Sequence, residues 1–288
     1  MRVTRRGQVV LAATALAVSG LGAGLAANPA AASSSDNGAG SSVADSQRPA
    51  PPTWAEFKAS TYRDRDGQFI VNGDEPIATV AKLRAYYESM MAHADQNGGS
   101  NQLVVNTVGG ADDIWDSGQV ANLTYCVSDD FGSLKSTVVS AMQGGAALWE
   151  GSSSAVDFIY DSSQDANCTT SNDAVLFPVE PIETDEYIAR AFFPSSSDSE
   201  MNILVDDSLT TSGWAPSNIL GHELGHTLGF RHEHTRPEAG TCFEDNNWRP
   251  LTPYDSASIM HYPQCNGTSP DLSFSPLDAQ GVASIYGS

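Results

Sequence analysis

Two histidines placed one helical turn apart dominate the chemistry that this sequence offers. His222 and His226 are four residues apart, so on a helix both side chains project from one face and reach a single metal ion. Glu223 follows the first histidine, close enough to bond a water molecule at the metal without being a ligand. Gly229 can adopt a left-handed conformation that ends the helix and brings His232 round as a third ligand.

Three neutral imidazoles leave a fourth position open for water, which predicts a catalytic zinc site rather than a closed structural one. Zinc lowers the pKa of such a water to about 7 and polarises a carbonyl group. Glu223 can accept the proton of the water and pass it to a leaving amine, so that one carboxylate serves as general base and then as general acid. A zinc site that only binds needs the histidines alone, and the presence of Glu223 argues against it.

A second motif follows downstream, Ser258-Ile259-Met260-His261-Tyr262, and the two motifs together resemble the metzincin zinc proteases. In that clan the second motif is the Met-turn, whose methionine lies beneath the three histidines as an apolar floor. The resemblance implies this role for Met260. It also implies that His261 is a structural residue rather than an additional ligand.

Within the metzincins the sequence is most similar to the astacin-like families, where a glutamate follows the third histidine and the Met-turn reads Met-His-Tyr. Glu233 and Tyr262 match those positions. The resemblance implies that Tyr262 stabilises the transition-state oxyanion, the alternative being an aromatic core residue. It also implies that Glu233 pairs with the N-terminus of the mature enzyme.

The residues after Glu233, which read His234-Thr235-Arg236-Pro237-Glu238, depart from the usual astacin pattern. They are similar instead to a family of extracellular bacterial proteases. This departure puts the pairing of Glu233 with an N-terminus in doubt. We interpret His234 as a residue beside the ligands or at the surface, and not as a fourth ligand.

A further part of the resemblance lies upstream. Astacin propeptides place an aspartate on the zinc through a Phe-x-Gly-Asp motif, and Val71-Asn72-Gly73-Asp74 resembles it with Val for Phe. Asp74 is therefore a candidate latency switch. The competing interpretation makes Asp74 the N-cap of a helix that begins near Pro76.

The elements that must position these residues predict an α+β fold. Strands are expected over residues 122–127, 156–160, 174–177, 188–193 and 201–205, and a helix over 134–149. A second helix, beginning near Ser217, carries the histidines. The expected domain has a sheet of about five strands, two main helices and a C-terminal subdomain that holds the Met-turn.

Two expectations about this domain come from the resemblance alone. Residues 275–282 are similar to the C-terminal helix of these proteases. Residues 188–193 would be an edge strand to which an extended substrate adds, and an internal strand is the alternative.

The N-terminal residues predict export and processing. Residues 1–32 have a basic head, an apolar middle and a small-residue end, as in a secretory signal peptide, with Sec and twin-arginine export both open and a retained membrane anchor as the alternative. Residues 33–99 are interpreted as a Ser/Ala/Gly/Pro-rich linker and a propeptide that ends in the flexible stretch 97–101. Residues 100–288 are expected to form the zinc metalloprotease domain.

The four cysteines and the charge fit an exported protein. Among three connectivities, Cys126 with Cys168 and Cys242 with Cys265 is favoured, because each bond then closes a loop on one side of the histidine motif.

The charge of the chain is unevenly distributed. Of the 14 Lys and Arg residues 5 follow Gly99, against 26 of the 35 Asp and Glu, so these later residues carry the whole formal charge of −21. Such an acidic body disfavours nucleic acid and anionic membranes as partners.

Taken together, these features predict a secreted, monomeric zinc endopeptidase with one catalytic zinc ion and protein or peptide substrates. An extracellular zinc-containing binding module is one alternative, and the presence of both Glu223 and Tyr262 disfavours it. A hydrolase of non-peptide esters or amides is another, and only the metzincin resemblance disfavours that.

Overall fold

The computed structural model describes residues 52–93 and 103–288. The expected signal peptide at 1–32, most of the linker and the stretch 97–101 lie outside these residues. In the described ranges no helix has both the length and the apolar character needed to cross a bilayer. We call residues 52–93 the N-terminal segment and residues 103–288 the body.

The body is built on a mixed sheet of five strands, so the described residues combine helices and sheet as the α+β prediction expects. In spatial order the strands are β7 (Phe158–Tyr160), β6 (Leu123–Val127), β8 (Phe177–Ile182), β10 (Ile203–Asp206) and β9 (Ala189–Arg190). The first four run parallel to their neighbours, and β9 runs antiparallel to β10 at the edge of the sheet.

Strand β8 begins where the sequence prediction of 174–177 ends, so that prediction was wrong in position. The strand contains Pro178 and Pro181, and proline lacks the N–H group that a central strand donates. The two prolines are therefore the reason that the sequence pattern did not predict a strand at these residues. Strand β9 is also shorter than the predicted range of 188–193.

Two helices, α3 (Lys135–Glu150) and α4 (Pro216–Thr227), cross at close range. A Cβ atom at Gly145 would lie only 2.6 Å from the backbone nitrogen of Gly221, so glycine at 145 permits the crossing. The indole Nε1 of Trp149 also donates to the Gly221 carbonyl at 2.8 Å. Helix α4, which carries two of the histidines, is thereby held by direct contact with the α3 backbone.

The rest of the body surrounds the end of α4. A small sheet joins β4 (Val104–Val108) to β5 (Ala111–Asp112) and to β11 (Trp248–Pro250), and α5 (Pro276–Tyr286) follows near the C-terminus. The structure contains the disulfides Cys126–Cys168 and Cys242–Cys265, which is the pairing that the sequence favoured.

The N-terminal segment is a three-stranded antiparallel sheet flanked by two helices. Its elements are α1 (Trp54–Ser60), β1 (Tyr62–Arg63), β2 (Phe69–Val71), β3 (Glu75–Ile77) and α2 (Val80–His93).

The structure corrects the expectation that a helix begins near Pro76 with Asp74 as its N-cap. Pro76 lies in β3 opposite Ile70, and α2 begins at Val80. The physical reason is the Asn72-Gly73 turn, where both residues have positive φ angles of 58° and 106°. Such a turn makes a hairpin, so the chain pairs back onto β2 before any helix starts.

Candidate metal centre

Three histidine side chains converge in the interior of the body. Helix α4 places His222 and His226 one turn apart, and both are 1% exposed. Gly229 has φ 92°, as the left-handed prediction requires, and a Cβ atom there would collide with the carbonyl oxygen of Asp113. The chain then turns back, and His232 comes to lie with its Nε2 atom 3.2 Å from that of His222.

Strand β4 fixes the position of this returning chain. The backbone N–H of Asn106 donates to the Gly229 carbonyl at 2.8 Å, and that of Arg231 donates to the Val104 carbonyl at 3.1 Å. The third histidine therefore follows a backbone segment that is hydrogen-bonded on both sides of the turn.

The outer nitrogen of each imidazole faces an oxygen that can only accept. The Nδ1 partners are the Ile259 carbonyl for His222 at 2.7 Å, the Phe230 carbonyl for His226 at 2.8 Å and the Glu244 carboxylate for His232 at 2.7 Å. In a neutral imidazole Nδ1 thus carries the proton, and Nε2 presents its lone pair to the centre of the cluster.

Because these lone pairs converge, the three residues fit a metal ion. Two of the Nε2 atoms are 3.2 Å apart, and Nε2 of His226 is buried without a hydrogen-bond partner. Lone pairs at this distance repel each other unless a cation lies between them. Outward-bonded Nδ1 atoms with converging Nε2 atoms are the arrangement that metal-ligating histidines adopt.

Asp74 brings a fourth group to the cluster from the N-terminal segment. The carboxyl is 2% exposed, with Oδ1 3.2 Å from His232 Nε2 and Oδ2 3.1 Å from His222 Nε2. Burial raises the pKa of Asp74, but positive charge in the cluster, as on protonated His232 and His226, outweighs it and holds the pKa well below the usual value. One ligand atom from each of the four residues lies within 4.8 Å of the others, as a single metal site requires.

Glu223 adds a buried carboxylate beside the cluster. It is 3% exposed, and its Oε2 atom is buried without a hydrogen-bond partner. Burial raises the pKa of Glu223, and the negative charge of Asp74 raises it further. An unsatisfied buried carboxylate is costly for stability, and its presence next to converging ligands is typical of a catalytic group.

The segment that ends in Tyr262 packs against α4 and contacts both His222 and Asp74. Met260 is fully buried, and a Cβ atom at Gly225 would collide with its Sδ atom, so the glycine makes room for the methionine. The Tyr262 ring stacks on His222 with the ring centroids 5.3 Å apart. Its hydroxyl donates to Oδ2 of Asp74.

Asp278, which sequence reasoning did not single out, holds the Met-turn segment from α5. Its carboxylate accepts from the Ser258 hydroxyl at 2.5 Å, the Ile259 N–H at 2.9 Å and the Ser275 N–H at 2.8 Å.

His261 forms a hydrogen bond between its Nε2 atom and the Tyr254 hydroxyl at 2.8 Å, in keeping with a structural residue.

Glu244 is the residue of the candidate site that the sequence did not predict. It is 1% exposed and accepts from His232 Nδ1 at 2.7 Å, Arg231 Nη2 at 2.8 Å and His234 Nε2 at 3.3 Å. His234 is accordingly buried beside a ligand and is not a surface residue. No motif marks Glu244, because its contact with His232 depends on how the chain folds back over 12 residues.

Glu233 is buried next to the third ligand and is only partly satisfied. Its Oε1 atom accepts from Arg236 at 2.8 Å and from the Asp255 N–H at 3.0 Å, whereas Oε2 has no hydrogen-bond partner. Burial raises the pKa of Glu233 to about 8. Its pairing with a mature N-terminus stays a prediction.

Comparison with known proteins finds local similarity to zinc metalloproteinases of the astacin family. High choriolytic enzyme 2 of Oryzias latipes is 38% identical over 19% of this chain and 25% of that enzyme. Zinc metalloproteinase nas-30 of Caenorhabditis elegans is 36% identical over 17% of this chain and 9% of that protein. Over these residues the chain is similar to the astacin family. The similarity spans about a quarter of the first relative's length and less of the second's, and no family model matches the chain.

A solved structure also aligns with this chain. It is High choriolytic enzyme 1, a hatching enzyme zinc-protease from Oryzias latipes, which is 18% identical with a TM-score of 0.39. The alignment covers 60% of this chain and 94% of that one.

Replacement of Glu244 by Gln is expected to weaken metal binding by about 10- to 100-fold, because the charged acceptor that orients His232 is lost. The measurement is Zn²⁺ dissociation by competition with a chromogenic chelator. Glu238→Gln is the matched control, since Glu238 lies in the same loop and is exposed. Equal zinc affinity in the wild type and Glu244→Gln would contradict the orienting role.

Proposed function

We propose that this protein is a secreted zinc endopeptidase that is made as a latent precursor. The observation that carries the proposal is the set of three imidazole lone pairs converging beside the unpartnered carboxylate of Glu223. Local similarity to zinc metalloproteinases supports zinc as the metal and peptides as the substrate.

His222, His226 and His232 would hold the zinc ion. Bound zinc lowers the pKa of a water ligand to about 7 and polarises the substrate carbonyl. Glu223 accepts the proton of the attacking water and returns it to the leaving amine. The Tyr262 hydroxyl, which donates to Asp74 in this structure, donates to the substrate oxygen as negative charge develops there.

Location and partners follow from the sequence and from the disulfides. The signal-like residues 1–32 support export, and two disulfides suit an oxidising compartment. The formal charge of −21 supports solubility and disfavours nucleic acid and anionic membranes as partners. The proposed enzyme is a monomer that acts on proteins or peptides, with β9 as the edge strand for an extended substrate.

The N-terminal segment supports latency because it packs against the five-stranded sheet next to this edge. Tyr62 and Ile70 pack with Ile182, Tyr187 and Leu204 of the body. With Asp74 at the fourth position of the metal centre, the segment excludes both substrate and attacking water. Its removal would open the centre.

Casein hydrolysis by the mature form tests the enzyme. Activity is expected to be lost to 1,10-phenanthroline and restored by Zn²⁺. Glu223→Gln is expected to lower kcat/KM by about 10²- to 10⁴-fold, because general base catalysis is lost. Glu183→Gln, an exposed carboxylate of the body, is the matched control and should retain activity.

The contrary result is a folded, zinc-loaded wild type that cleaves neither casein nor any member of a peptide library. That result would reject the endopeptidase and leave the binding module or the hydrolase of other substrates.

Tyr262→Phe is expected to lower kcat by about 10²- to 10³-fold with little change in KM, since one hydrogen-bond donor to the developing oxyanion is lost. Zinc content measured on the same samples separates this effect from loss of the metal. If kcat stays at the wild-type value, Tyr262 is only a packing residue against His222.

Asp74→Ala in the uncleaved precursor is expected to give activity on a short fluorogenic peptide without processing, because the fourth position becomes accessible. Mass spectrometry of the assayed sample confirms that the chain is intact. Glu88→Ala, an exposed carboxylate in the same segment, should stay latent. A latent Asp74→Ala precursor would contradict the switch.

A further inference from the structure

Arg190 in the edge strand β9 is a buried cation whose charged partners come from outside the body. Its side chain is fully buried. Nε donates to Asp64 Oδ2 at 2.6 Å and Nη2 donates to Asp66 Oδ2 at 2.5 Å, both in the N-terminal segment. The remaining bond, from Nη1 to Asn202 Oδ1 at 3.1 Å, goes to a neutral amide.

The body supplies a second donor at the same place. The Tyr187 hydroxyl donates to Asp64 Oδ2 at 2.7 Å, so one carboxylate oxygen accepts from both Tyr187 and Arg190. Asn202, which contacts the guanidinium, is itself fixed by a bond to Glu180 at 3.2 Å. Within residues 103–288 no carboxylate lies at ion-pair distance from Arg190.

Departure of the N-terminal segment would therefore leave two oriented donors without their acceptor. A guanidinium that has lost these two partners can form the same charge-assisted bonds with another carboxylate that enters the site. The fork geometry of arginine also matches the two oxygens of a carboxylate better than it matches a neutral group.

The donors lie along the path expected for a substrate. Three residues after Arg190, the Phe193 ring packs against the metal-site residue His226 with the centroids 5.4 Å apart. At about 3.3 Å per residue in an extended chain, Arg190 and this contact are separated by roughly 10 Å. A substrate strand beside β9 would reach both at once.

The acidic charge of the body leaves few positions that attract an acidic side chain, and Arg190 is one of them. Only 5 Lys and Arg residues follow Gly99, against 26 Asp and Glu, so an acidic substrate meets repulsion over most of the surface. The N-terminal segment meets Arg190 with the sequence Asp64-Arg65-Asp66, which is itself an acidic peptide bound to this arginine.

We infer that Arg190 and Tyr187 form a subsite for an Asp or Glu side chain of the substrate, about three residues from the scissile bond. The inference rests on the proposed endopeptidase function and assigns a substrate class to it. Asp64 occupies the subsite in the precursor and the substrate carboxylate replaces it in the mature enzyme.

The test uses the mature wild-type enzyme and paired fluorogenic peptides that differ by Asp against Asn at one position, up to four residues on either side of the scissile bond. At one position about three residues away, kcat/KM is expected to favour Asp by about tenfold, the effect of one charge-assisted bond. Arg190→Gln is expected to abolish the preference and Arg190→Lys to keep part of it. Arg249→Gln, which removes an arginine paired with Asp112 elsewhere on the body, should keep all of it.

The outcomes separate the subsite from the enzyme. Wild type that cleaves Asp and Asn peptides equally at every position overturns the subsite and leaves the endopeptidase intact. Wild type that cleaves none of the peptides overturns both. A folded, zinc-loaded Arg190→Gln variant that keeps the preference overturns the assignment to Arg190, and if that variant fails to fold, the wild-type preference and Arg190→Lys still decide the question.

Discussion

Three buried imidazole nitrogens that point their lone pairs at one another are the constraint on which the rest of this structure depends. They repel unless a cation lies between them, so the surrounding protein must hold them together. Their Nδ1 acceptors come from three separate places, namely the Met-turn, the chain after α4 and the loop before β11. Each of these places has its own support, from Asp278, from β4 and from the ion pair of Glu244 with Arg231. The site is therefore a product of the whole body and not of one helix.

The parts of the site that local sequence determines could be predicted. The spacing of His222 and His226 follows from the helical period, and the turn at Gly229 follows from the φ angle that glycine allows. The prediction failed where distant chain segments meet. Glu244 and Asp278 have no motif, because their roles exist only after folding brings them to His232 and to the Met-turn.

Two errors in the fold prediction have local causes. Strand β8 was placed too early because its prolines are typical of loops, and helix α2 was placed too early because the Asn72-Gly73 turn was not recognised as a hairpin. The second error mattered more. It favoured an N-cap interpretation of Asp74, whereas the hairpin carries that carboxylate into the histidine cluster.

The disulfide Cys242–Cys265 encloses a stretch that contains Glu244, Met260 and Tyr262. A disulfide that closes a loop of this sequence separation, 23 residues, restricts the unfolded chain. In the chain-entropy account this restriction stabilises the folded protein by about 3 kcal/mol. The acceptor of His232, the methionine that packs against α4 and the tyrosine that stacks on His222 thus belong to one covalent ring. A chain whose cysteines stay reduced must find that free energy elsewhere, so oxidation of Cys242 and Cys265 and the stability of the candidate metal centre are thermodynamically coupled.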